Sequence, residues 1–194
     1  STTIKFDRTK VNVFDNQDFA SIFLPGILNE TPKLSFEEAK SLLKSTHLSE
    51  TYLGLLVLFR TAPNTLETWD LFIEFFRARR QSEIPFGLIY YLAHIPWHPD
   101  IWYHGEGITA DTKAHARKLF QGFDKRDIAK LLSFIDEETG ISRGSIGQSV
   151  EAIISSLSNR DRLLLEVTDD NGLPMSSREY AALIYAYHNH QAAM

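Results

Sequence analysis

Helix-start signals recur along this chain, and each is followed by apolar residues at helical spacing. Ser35-Phe-Glu-Glu38 has the form of a capping box, in which the Ser hydroxyl and the Glu carboxylate each satisfy an amide that a helix end leaves orphaned. Phe36, Ala39, Leu42 and Leu43 then fall on one face. Asn64 to Glu67 repeats the spacing after Pro63, ahead of Leu66, Trp69, Ile73 and Phe76. Asp124 precedes Ile128, Leu131, Leu132 and Ile135, and Gly140 stands where a helix-terminating glycine belongs. Ser176-Ser-Arg-Glu179 opens a last helix with Tyr180, Leu183, Ile184 and Tyr187 in register. Segments 50–61, 85–95 and 146–157 share the same period. The expectation is all-α: a compact bundle of eight or nine helices joined by short connections. No repeat of about 20–50 residues is visible, which disfavours a solenoid.

Two stretches break the helical period. Ile4, Phe6, Val11 and Val13 alternate with polar residues, so 1–14 reads as a short extended arm with apolar teeth. Such an arm packs across its own domain or crosses to a neighbouring subunit. Residues 15–194 then form one helical domain. The second break, 95–107 (IPWHPDIWYHGEG), holds two prolines and two glycines. It is a candidate functional loop, or a hinge between sub-lobes 15–95 and 108–194.

The 194 residues carry 20 Lys and Arg against 25 Asp and Glu, a formal charge of −5, with 43% hydrophobic residues and no Cys. That composition excludes a disordered chain, a disulfide scaffold and a Cys-ligated zinc module. The apolar run 52–59 (YLGLLVLF) is far short of the ~18–20 residues of a membrane span, and the first ten residues lack the apolar core of a secretory signal. A cytoplasmic or otherwise intracellular protein with no membrane contact is expected.

Three chemistries compete. In the 94–106 stretch, His94, His98, Asp100, His104 and Glu106 offer imidazoles and carboxylates for a divalent metal or for acid–base work. His98, His104 and Glu106 are the metal candidates. Pro96 and Pro99, however, prevent one-turn stacking of His94 on His98, and no HExxH spacing occurs. Trp97, Trp102 and Tyr103 interleave the polar residues, as in an aromatic loop that plugs a core. Gly140-Ile-Ser-Arg-Gly144 matches the nucleophile-elbow pattern, but a helix precedes it where the elbow needs a strand. No cofactor is expected.

Nucleic-acid binding is the second chemistry. Residues 127–157 resemble a helix-turn-helix, with Ser145, Gln148, Ser149 and Ala152 on one side of the second helix. Ile146, Val150, Ile153 and Leu157 lie on the other side. Arg143 and Ser145 occupy the end that would enter a major groove, and Leu163–Val167 with the Asp-Asp-Asn-Gly turn would form a wing. Acidic Glu137, Glu138 and Glu151 oppose contact with phosphates. Basic clusters stand at Arg60 with Arg77, Arg79 and Arg80, and at Lys113, His115, Arg117 and Lys118. Because Glu67, Asp70 and Glu74 precede the arginines, charge there also follows the helix dipole. Two fragments, Phe120-Gln-Gly-Phe-Asp124 before a basic helix and Asp170-Asn-Gly-Leu-Pro174 before an Ala-rich one, are similar to segments of phlebovirus nucleoproteins. The resemblance covers under a fifth of the chain, with a shorter separation than in that family, and it implies a groove for RNA backbone.

The third chemistry is apolar contact. All three tryptophans fall within 69–102, in company with Phe72, Phe75, Phe76, Phe86, Tyr90, Tyr91 and the nearby Tyr103. A helix apolar over so much of its circumference is central in its domain or meets a partner. The leading expectation is a non-enzymatic interaction or assembly protein that meets a protein partner or itself. Its contacts would come from Ile4, Phe6, Val11 and Val13 on the arm and Phe72, Phe75, Trp97 and Trp102 in the aromatic segment.

Overall fold

The first described helix, α1 (Phe36–Leu42), starts on the expected capping box. Ser35 Oγ accepts from the Glu38 amide at 3.1 Å, and Glu38 Oε2 accepts from the Ser35 amide at 2.7 Å. The computed structural model describes residues 34–97, 107–135 and 143–193, and the side chains within them except at 143–145 and 191–193. The arm residues Ile4, Phe6, Val11 and Val13 lie outside that set, as do the loop residues His98, Trp102, His104 and Glu106 and the elbow-like Gly140, Ile141 and Ser142.

Nine α-helices and a short 3₁₀ turn make up the described residues, with no strand among them. After α1 come α2 (Leu48–Thr61), α3 (Leu66–Ala78), the 3₁₀ turn Gln81–Glu83 and α4 (Phe86–His94). Then follow α5 (Ala110–Gln121), α6 (Lys125–Leu132), α7 (Arg143–Ser155), α8 (Arg160–Asp169) and α9 (Met175–Ala193). The bundle is all-α, as the periodicity indicates.

Helix α2 is apolar around its whole circumference, and Thr51 to Leu58 are buried without a break. A helix of that kind has to be covered on every side. Helix α1 covers one side at very short range, because Gly54 offers no side chain. A Cβ there would lie 2.7 Å from the Ala39 carbonyl oxygen and 3.1 Å from Leu42 Cβ.

Helices α3 and α5 run parallel, tied at three levels with a constant offset. Asn64 Oδ1 accepts from the Thr109 amide at 2.8 Å, His115 Nε2 meets Asp70 Oδ1 at 2.8 Å, and Arg77 Nη2 donates to the Gly122 carbonyl at 3.2 Å. A parallel pair needs a return crossing, which here contains α4 and the stretch up to Gly107. Asn64 therefore does not cap α3, contrary to the sequence expectation. The N-cap is Thr65, without a side-chain bond, and the Asn64 amide is spent on the 107–109 backbone instead, donating to Gly107 O at 3.0 Å. Trp69 anchors the same end by donating from Nε1 to Pro63 O at 2.9 Å.

Asp124 caps α6 as expected, forming a box with Asp127. Helices α6, α8 and α9 pack together, while α7 packs chiefly on α4 and touches α6 only lightly. The turn that would join α6 to α7 in a helix-turn-helix, 136–142, lies outside the described residues. Ile146, Val150, Ile153 and Leu157 are buried as expected, but so is Ser149, whose hydroxyl lies 3.4 Å from His94 Nε2 on α4. Residues 163–167 do not form a wing. They belong to α8, with Leu163, Leu164 and Val167 in the core.

Candidate interaction surface

Phe72 and Phe75, expected on an aromatic contact surface, are buried in the chain's own core. With Trp69, Ile73 and Phe76 they make α3 apolar on several faces, and α2, α5 and their neighbours cover those faces. Trp97 is half-buried, its ring 5.2 Å from that of Phe120. The aromatics of α3 thus serve the chain's own core, since each buried ring removes about 150–250 Å² from water, while Tyr90 is 41% exposed and Trp102 lies outside the described residues.

Within the basic cluster, Arg77 and Arg79 are tied to neighbouring helices, although Arg77 stays 45% exposed and Arg80 is exposed as well. The carboxyl end of α3 exposes carbonyls with no helical partner and carries the negative end of the helix dipole. Lys130 of α6 reaches across it, donating from Nζ to the carbonyls of Phe76, Arg77 and Arg79 at 2.8, 2.9 and 2.9 Å. Burial holds the Lys130 pKa below the ordinary lysine value although Asp127 lies nearby. Arg77 forks onto Asp127, Nε to Oδ1 at 3.2 Å and Nη2 to Oδ2 at 3.1 Å, with its guanidinium over the Phe123 ring. Arg79 donates from Nη2 to Leu43 O at 2.7 Å and Ser45 O at 3.0 Å, tying α3 to the end of α1.

On α5, Arg117 donates from Nε to Pro96 O at 2.6 Å and His115 is held by Asp70. Arg60 and Lys113 are half-buried, while Arg80, Lys118 and Gln148 are exposed. Arg143 and Ser145 lie on α7 at positions whose side chains are not described. Glu151 is exposed one turn from Gln148, so the outer side of α7 is acidic as well as polar.

Hollows among the described residues include a crevice and a basin. A crevice between Tyr52, Leu56, Phe72, Pro85, Leu88 and Tyr91 encloses about 20 Å³, room for one water and far too little for a ligand. A shallow basin of about 330 Å³ lies beside the start of α6, but two of its cations are taken. Lys125 pairs with Asp170 at 2.8 Å and Arg162 with Glu166 at 2.7 Å. Among the described residues no group of three or more His, Asp or Glu is placed to hold a metal ion, and no helix is long and apolar enough to cross a membrane.

Among the described residues the largest apolar exposure lies on α9. Met175, Leu183 and Tyr187 are 69%, 64% and 61% exposed. The sequence pattern places Leu183 and Tyr187 on the inner face with Ile184. The helix is rotated instead, burying Ser177, Ala181 and Ile184. Small side chains on that face allow α9 close to α6, where Ser177 Oγ donates to the Ala129 carbonyl at 3.3 Å. Arg178 Nε reaches Thr168 O at 3.2 Å on α8, and Ser155 Oγ meets His188 Nε2 at 3.2 Å on the other flank. The outward face carries Glu179, Leu183, Ala186 and His190 in succession, with Tyr187 beside them.

Compared with known protein families, curated proteins and solved structures, the chain matches none of them. The fragments 120–124 and 170–174 singled out in the sequence fall at the α5–α6 turn and the α8–α9 turn. In the first, Phe120 and Phe123 enter the core and Asp124 caps; in the second, Asp170 accepts from the Gly172 amide at 2.9 Å.

Proposed function

We propose that this protein works by association rather than by chemistry, as a helical module that meets a protein partner or another copy of itself. The observation that supports this is the outward face of α9, where Leu183 is 64% exposed beside Tyr187, while the exposed large apolar side chains on other described helices, Leu66, Tyr90 and Leu165, reach at most 45%. An apolar surface kept exposed beside so complete a core is the usual mark of a binding face. The arm, with Ile4, Phe6, Val11 and Val13, would supply a second set of contacts. Light scattering over a range of concentrations, on the intact chain and on one lacking residues 1–14, tests the proposal. A mass that rises with concentration supports self-association, and a drop on removing the arm assigns part of it there. A monomer at every concentration, with the α9 face unprotected in hydrogen exchange in cell extract, removes the proposal.

A further inference from the structure

We infer that the outward face of α9 pairs with the same face of a second copy, the two helices running antiparallel. This rests on the association reading above and names the partner and its geometry. Glu179, Leu183, Ala186 and His190 are all exposed and follow one another at intervals of four, three and four. That is the spacing of a seam between two helices crossing at about 20°.

The order of the four residues sets the direction. In an antiparallel pair centred between Ile184 and Tyr185, Leu183 lies opposite Ala186 of the second copy, a large side chain against a small one. Glu179 lies opposite His190 of the second copy, where the carboxylate accepts from the imidazole N–H. Each of these contacts occurs twice by symmetry, as an isologous interface requires. A parallel pair would instead set Glu179 against Glu179 and Ala186 against Ala186, repelling charge at one level and leaving a gap at another. Antiparallel helix dipoles favour the same choice. Tyr187 sits at the edge of the seam, facing Ala182 of the second copy. Three helical turns bury less than the roughly 1,200 Å² typical of stable complexes, so the dimer is weak and concentration-dependent.

Sedimentation equilibrium on the full chain tests this, with circular dichroism as the check that each variant folds. Wild type is expected to approach twice the monomer mass as concentration rises, and Leu183→Glu to stay at the monomer mass. Glu179→Lys and His190→Glu should each weaken the dimer several-fold. The double variant should recover it, because the acidic and basic groups have then exchanged places across the seam. If wild type associates and Leu183→Glu associates equally well, the seam is wrong while the association reading survives. Failure of the double variant to recover overturns the antiparallel pairing, whether the face then meets a parallel copy, another protein or the chain's own first residues. A wild type that remains monomeric throughout removes both this pairing and self-association.

Discussion

Helices α3 and α9 both carry large apolar side chains, but α3 buries most of its own while α9 leaves three of its own exposed. On α3, Trp69, Phe72, Ile73, Phe75 and Phe76 are all buried, whereas α9 leaves Met175, Leu183 and Tyr187 out. The difference lies in what surrounds them. Helix α3 has α5 running alongside it in register, and its carboxyl end is closed by Lys130, Arg77 and Arg79. Helix α9 is backed by α8 and α6, which reach it over the small residues Ser177 and Ala181. Apolar content therefore does not decide whether a helix is buried; the number of sides its neighbours cover does.

Truncation at the two helices should separate them most widely. Phe76→Ala removes a fully buried ring stacked 5.7 Å from Phe123 and is expected to cost about 3–5 kcal/mol in denaturant unfolding. Leu183→Ala should stay within about 0.5 kcal/mol at concentrations where the chain is monomeric. Equal costs would mean that the outer face of α9 is covered after all.

Gly54→Ala probes the tightest approach. Alanine improves helix propensity by about 1 kcal/mol, but its methyl meets the Ala39 carbonyl, part of a helix that cannot yield cheaply. A net loss of about 1–3 kcal/mol is expected, read as a lower thermal midpoint. Lys130→Met keeps the aliphatic stem and strips the carbonyls of Phe76, Arg77 and Arg79 of their common donor. A loss of about 1–2 kcal/mol is expected, with faster amide exchange at the end of α3 and no change at α9.

Gly147→Ala is the counterpart of the Gly54 change. Nothing among the described residues lies within 4 Å of the added methyl, so propensity acts alone and a gain of about 0.5–1 kcal/mol should appear in the same assay.

The smallest effect belongs to the half-buried Lys125–Asp170 pair. The Lys125 ammonium and then the Gly172 amide hold the Asp170 carboxyl below its usual pKa, and Asp170 in turn raises Lys125. Linkage gives opposite signs at the two ends of the pH scale. The Asp170 contribution is present above the unfolded carboxyl value and fades as pH falls through the lowered folded value. The Lys125 contribution is present below the unfolded lysine value and fades as pH rises through the raised folded one. The difference between wild type and Asp170→Asn should therefore be flat near neutrality and shrink at both extremes.

What the sequence makes legible is local. Ser35 and Asp124 are readable as caps because their partners sit three residues away. Asn64 looks alike in sequence, yet its partners are Gly107 and Thr109, and no spacing rule reaches that far. That Arg77 forks onto Asp127 and Arg79 onto the carbonyls of residues 43 and 45 is invisible until the helices meet, whereas Arg80 is exposed, as a solvated helix end would be. For α9 the pattern is right for Ile184 and for Tyr180, which packs on the core, but not for Leu183 and Tyr187, because periodicity alone puts the large side chains inside. Its small residues face inward because they let two neighbours approach closely.

The closing of α3 by Lys130 of α6 also has a consequence for the newborn chain. When Arg80 has just left the ribosome, the end of α3 is already made, but Lys130, 54 residues beyond Phe76, is not. At synthesis rates of about 5–20 residues per second, the Phe76 end waits roughly 3–10 s for its cover. During that interval a greasy helix terminus stands open to chaperones, and to its own kind on neighbouring ribosomes.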